Sequence, residues 1–208
     1  MNMGWLRDLI HAGGTGGLNW HLHAYYSCQR WQPTVQLIEQ FLAQVTPSSD
    51  HLVLIGGSAG WMMPPSWLAR FKRIDAYDID PLVPWLFNWR HGSQLKARGV
   101  VVQHHRQDAL ATLPEVLTTH PQACLWFDNV LGQHRYRIRD EQQVEQDLTQ
   151  LKHLLQGRHW GSVHDVLSGH NECGSANAVF PVFAIANIPH RNPTIANHIL
   201  INSMGVFE

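Results

Sequence analysis

The sequence predicts an α/β protein with a doubly wound, mainly parallel sheet, helices on both faces, and an antiparallel C-terminal strand pair. Three observations predict it. Short continuous apolar runs such as "LVLI" at 52–55 and "CLWF" at 124–127 suit strands buried on both faces. Helix-length segments separate these runs, giving the crossovers that parallel strands need. Beyond Ser168, two apolar stretches without helical period, "AVFPVFAIANIPH" and "ANHILINSMGVFE", flank a Pro/Asn turn.

The elements follow in order. A short helix is expected at Gly4–Ala12, then a loop through "AGGTGG". Val35, Leu37, Ile38, Phe41, Leu42 and Val45 recur at helical spacing, so a helix is expected from Trp31 to Val45. Pro33 suits its first turn and Pro47 its stop. Strands are expected at Leu52–Ile55, Arg73–Asp80, Val100–His105, Ala123–Asn129 and Gly161–Gly169. Between them lie helical segments at 66–71, 81–99, 109–120 and 141–157. In the last of these Val144, Leu148, Leu151 and Leu155 share a face and Gly157 ends the helix. Residues 1–48 read as a helical, aromatic-rich N-terminal extension and a candidate substrate lid; residues 49–208 read as the main domain.

Composition narrows the function. The chain has 208 residues, 44% of them hydrophobic, which suffices for one substantial core. A formal charge of −1 gives no global field to recruit nucleic acid or an anionic membrane. Cys28, Cys124 and Cys173 are odd in number and far apart, against a disulfide framework. No run is long enough to span a membrane and no secretory signal is evident, so a cytoplasmic protein is expected. The histidines include "HLH" at 21–23 and "HH" at 104–105, but there is no HExxH motif or Cys/His knuckle, and no metal site is expected.

In a doubly wound sheet, ligands bind beyond the carboxyl ends of the strands. The first strand ends in "GGSAG", Gly56, Gly57, Ser58, Ala59 and Gly60. The second delivers Asp78 and Asp80, the third Asp108, and the fourth Asp128 and Asn129. Carboxylates accept hydrogen bonds from ribose hydroxyls or an exocyclic amine and repel phosphate. After Gly60 come Trp61 and Met62 rather than a phosphate-binding lysine, which disfavours a nucleoside triphosphate. Asp108 and Asp128 also suit helix caps, and Asp78 or Asp80 a turn.

The series "LVLIGGSAG", "IDAYDIDP", "HHRQDAL" and "CLWFDNVLG" resembles the motif order of class I S-adenosylmethionine-dependent methyltransferases, a Rossmann-like family, over about residues 52–168. The resemblance implies that Gly56–Gly60 pass beneath the methionine part of S-adenosylmethionine. It implies Asp78, with its neighbour Asp80, for the ribose; Asp108 and Ala109 for the adenine; and Asp128 and Asn129 at the reacting methyl, with His134 or Tyr136 as an assisting base. The chain departs from the family where an acidic residue precedes the glycine loop, because Ile55 stands there. The implied partner is an unidentified methyl acceptor: a small molecule, a protein or RNA. Arg135, Arg137 and Arg139 could meet an anionic one. Two other readings remain open: a non-catalytic methyltransferase-like binding or scaffold protein, and an NAD(P)-binding Rossmann protein. The last is weakened by the missing G-x-G-x-x-G and by Pro64–Pro65, which remove donors a pyrophosphate would need.

Overall fold

The computed structural model describes residues 17–131, 134, 138, 140–165, 182–186 and 199–201. Seven strands form one sheet: β1 (His51–Ile55), β2 (Arg73–Tyr77), β3 (Val101–His105), β4 (Cys124–Asp128), β5 (Trp160–Asp165), β6 (Val182–Ala186) and β7 (Ile199–Ile201). Their order is β3-β2-β1-β4-β5-β6-β7. The pairings β1 with β2, β2 with β3, β1 with β4, and β4 with β5 are all parallel. The order reverses between β1 and β4, which makes a crevice at their carboxyl ends.

The C-terminal expectation is corrected. β5 runs parallel to β4, so the parallel part extends through it. Reversal is confined to β6, which is antiparallel to β5 on one side and to β7 on the other. β7 therefore runs with β1–β5, and no reversed pair is appended to the sheet. The apolar pattern found the two strands but could not give their directions, which depend on connections rather than on side-chain alternation.

Alternation along the central strands builds two cores. Leu52 and Leu54 of β1, with Trp126 of β4, face one layer; Val53 and Ile55, with Leu125 and Phe127, face the other. The first layer is covered by the C-terminal part of α1 (Leu18–Gln44), by α2 (Pro65–Leu68) and by a helical segment. That segment comprises α3 (Val83–Phe87), a π-helical turn (Asn88–Gly92) and α4 (Ser93–Ala97). The second layer is covered by α5 (Leu113–Thr119) and by Leu151 and Leu155 at the end of α6 (Glu141–Leu154). Asp140 caps α6 by accepting from the backbone N–H groups of Gln142 and Gln143. Of its expected apolar face only that C-terminal end packs closely, and Leu148 is exposed. Among the described residues no helix is long and apolar enough to cross a membrane.

α1 differs from expectation. It starts at Leu18 rather than Trp31 and carries Pro33 in its interior. An interior proline costs about 3 kcal/mol, because it removes a hydrogen bond and crowds the carbonyl four residues earlier. Contacts at both ends offset that cost. Ile38, Phe41 and Leu42 are buried in the core, and Arg70 donates to the carbonyls of Leu42 and Val45 at the C-terminal end. Gly17 and His21 are held at the other end by Asp80. The Trp20 and Trp31 rings lie 5.8 Å apart. The two residues are about three helical turns apart and so share one face of α1. The helix expected at 4–12 and the loop through Gly16 lie outside the described residues.

Trp126 is fully buried, and an added Cβ on Gly161 of β5 would lie 2.2 Å from its ring. Gly161→Ala is expected to destabilise the protein by about 1–3 kcal/mol through overpacking. In a Trp126→Leu background that penalty should shrink, and urea unfolding of the two single variants and the double variant measures it.

Candidate functional site

The crevice between β1 and β4 opens into a pocket lined, among the described residues, by the carboxyl ends of β1, β2, β3 and β4. Gly56, Gly57 and Ser58 follow β1; Asp78 and Asp80 follow β2; Asp108 and Ala109 follow β3; Asp128 and Asn129 close β4. The backbone explains the glycine corner. Gly56 has φ +68°, and a Cβ there would lie 1.8 Å from the Val130 side chain. Gly60 has φ +67°, and a Cβ there would strike the buried His91 ring. The corner is thus glycine-rich because it packs against its own protein. Only its first half faces the pocket: Ala59 is buried against Ala24 and Trp61, and neither Ala59 nor Gly60 lines the cavity.

The four aspartates are held differently. Asp78 is half-buried; one carboxylate oxygen accepts from the Ser58 N–H at 3.0 Å and the other from the Asp80 N–H at 2.9 Å. Burial nevertheless raises its pKa to about 6. Asp80 is committed to structure. It accepts from the N–H groups of Gly17 and Leu82 and from His21 Nε2 at 3.1 Å. The Trp61 indole donates to His21 Nδ1, so the His21 proton sits on Nε2, facing Asp80. Burial opposes ionisation of Asp80, but these hydrogen bonds prevail and hold its pKa below the usual value. Asp108 accepts from the N–H groups of Leu110 and Ala111 and so organises the turn before α5, as its capping character suggested.

Asp128 is 7% exposed, and among the described residues its Oδ1 has no hydrogen-bond partner. Burial, reinforced by the charge of Asp78, pushes its pKa up to about 8. Ser58 Oγ, also buried at this pocket, likewise has no partner among the described residues. Ser58 (φ 47°) and Asn129 (φ 57°) are the two non-glycine residues with positive φ among those described. Both line the cavity, and strained backbone of this kind gathers at functional sites.

Of the aromatic lining, Trp20 and Trp31 belong to the extension read as a candidate lid, whereas Trp61 and Met62 were not among the expected site residues. All four line the pocket together with the aspartates. Arg90 stacks over Trp61 at 4.1 Å from the ring centre, and His21 bonds its indole nitrogen, so Trp61 is fixed on a face and an edge. The aromatic density of residues 20–31 was the available signal. Its bearing on the pocket depended on the continuation of α1 through Pro33. His134 is not at the pocket: its Nε2 lies 2.9 Å from Asp147 Oδ2 on α6. The sequence order placed it after β4, but the chain has by then left the rim. Arg135, Tyr136, Arg137 and Arg139 lie outside the described residues.

Fold and crevice together define a Rossmann-like α/β protein, of a type that can bind nucleotide-derived cofactors. No protein-family model matches the chain, and no curated protein matches it significantly.

The raised pKa values set a pH dependence. A carboxyl whose folded pKa lies above its unfolded value of about 3.9 binds more protons when folded, so stability falls as pH rises between the two values. For Asp128 that window is about pH 4 to 8. Asp128→Asn is expected to gain stability over wild type as pH rises through this window, by up to about 1.4 kcal/mol per pH unit. The two proteins should approach each other at pH 4, and urea unfolding at pH 4, 6 and 8 measures the difference.

Proposed function

We propose that the protein binds S-adenosylmethionine in this pocket and transfers its methyl group to an acceptor not yet identified. The observation that carries the reading is the charge of the lining: four aspartates and, among its described residues, no lysine or arginine. A dinucleotide would bring a pyrophosphate among these carboxyl groups, where no lysine or arginine of the described lining offsets its charge. A sulfonium cofactor brings positive charge to the same carboxylates. The unpartnered Asp128 Oδ1 and Ser58 Oγ are groups that a polar ligand would satisfy.

In this reading the Asp78 carboxylate, steadied by the Ser58 and Asp80 N–H groups, accepts from the ribose hydroxyls. Asp80 contributes indirectly, by fixing α1 and with it the aromatic wall. Asp108 and Ala109 border the adenine, and Gly56, Gly57 and Ser58 border the methionine part. The bound cofactor would supply an activated methyl group on its sulfonium. Asp128 and Asn129 orient the acceptor, and the indoles of Trp20, Trp31 and Trp61 exclude water and offer aromatic faces to a cation. Burial raises the pKa of Asp128, and a positive charge beside it would favour its ionised form.

A second reading, cofactor binding without transfer, is favoured by one observation: His134, the expected assisting base, is paired with Asp147 away from the pocket.

Calorimetric titration should give saturable binding of S-adenosylmethionine and none of NAD. Asp78→Ala should weaken binding by about tenfold or more, the worth of a hydrogen bond to a charged group. Absence of binding to the folded protein, or tighter binding of NAD, would overturn the proposal. Incubation with methyl-labelled cofactor and small-molecule, protein and RNA acceptors separates the two readings: label transferred by wild type and lost in Asp128→Asn supports the enzyme.

A further inference from the structure

A second cluster of chemistry-bearing side chains lies under α5, on the sheet face opposite α2. Alternation puts His51 of β1, Arg73, Asp75 and Tyr77 of β2, and His105 of β3 on this face, and His120 reaches it from the end of α5. Of these only Tyr77 also lines the cofactor pocket. We propose that His51, Asp75 and His120 form a binding site for a divalent cation of the zinc class, independent of the function proposed above.

One ligand atom from each of the three residues lies within 4.8 Å of the other two. His51 Nε2 is 2.7 Å from Asp75 Oδ2. The His51 and His120 rings stand perpendicular, 5.0 Å between centres. Around a tetrahedral ion bound at about 2.0–2.1 Å, ligand atoms lie about 3.4 Å apart. The ion would therefore replace the proton between His51 and Asp75 and widen that pair by about 0.7 Å. Asp75 is fully buried and His120 is 5% exposed, while the His51 side chain is 22% exposed and leaves one side open to solvent.

The donor set decides the cation. Two imidazoles and one carboxylate suit zinc or its neighbours, whereas calcium and magnesium require oxygen ligands throughout. Outer contacts of the kind that orient metal ligands are already present. Tyr77 Oη is 2.7 Å from His120 Nε2, and His105 Nε2 is 2.7 Å from Asp75 Oδ1, the oxygen turned away from His51. One group opposes the ion. The Arg73 Nε–H donates to Asp75 Oδ2 at 2.6 Å, and its charge competes for the same carboxylate. Arg73 thus sets the affinity from outside the ligand set. No local sequence motif marks this site, because its three residues come from β1, β2 and the end of α5 and meet only through strand register.

The test is a calorimetric titration of the chelator-treated full chain with zinc, followed by cobalt to read the visible absorption of a tetrahedral site. Wild type should bind one zinc ion at the cluster, and a hundredfold excess over Kd should raise Tm by about 5 °C or more. His51→Gln, at the most exposed ligand, should weaken binding by about tenfold or more and remove the cobalt spectrum. Arg73→Gln should tighten binding severalfold, a result that adventitious surface histidines would not give. The absence of saturable binding by folded wild type would overturn the proposal, as would zinc binding that His51→Gln and His120→Gln leave unchanged.

Discussion

Burial of β1 and β4 on both faces is the constraint from which the rest of the molecule follows. Leu52, Val53 and Leu54, and Leu125, Trp126 and Phe127, are all completely buried, so neither strand has a side chain left over for chemistry in its middle. Every polar function of these strands is displaced to their ends. At the carboxyl ends the chain must turn at once, and it does so through Gly56 in a left-handed conformation under Val130, and through Asn129 in the same region. The pocket is what remains where two fully enclosed strands stop side by side and their crossovers leave in opposite directions.

That pocket is electrostatically one-sided, yet its four carboxylates are not equivalent. Asp80 and Asp108 spend their acceptor capacity on the protein's own backbone and on His21, and so belong to the framework of the rim. Asp78 is shared, since its two backbone donors fix its direction while its raised pKa records incomplete compensation. Asp128 is the extreme case, with one oxygen enclosed and unserved. The rim thus runs from acids that the protein itself satisfies to one whose Oδ1 it leaves unsatisfied among the described residues. Asp75 shows the opposite arrangement. Three side chains converge on it, and despite its burial they hold its carboxyl well below the usual range.

Much of this was legible in the sequence, and the failures have physical causes. Strand positions could be read because a strand enclosed on both faces must be apolar throughout, as at 52–55 and 124–127. The rim acids could be read because the residue following such a strand is the first that can be polar. Strand direction at the C-terminal end could not be read, since alternation is identical for parallel and antiparallel pairs. The span of α1 was misjudged at Pro33, where local propensity argued for a helix start and tertiary anchors at Asp80 and Arg70 prevailed. His134 was misplaced because nearness in sequence to a strand end does not measure nearness in space once the chain turns away. The cluster of His51, Asp75 and His120 left no trace in spacing, being assembled from segments 24 and 45 residues apart.

Pro33 does not line the pocket, yet the helix that runs through it supplies two of the pocket's indoles. Trp20 and Trp31 stand about three turns apart on one face of α1, with their rings 5.8 Å apart. A helix that began at Trp31 would leave Trp20 without this frame. The two indoles therefore belong to one rigid piece, anchored by Asp80 at one end and by Arg70 at the other.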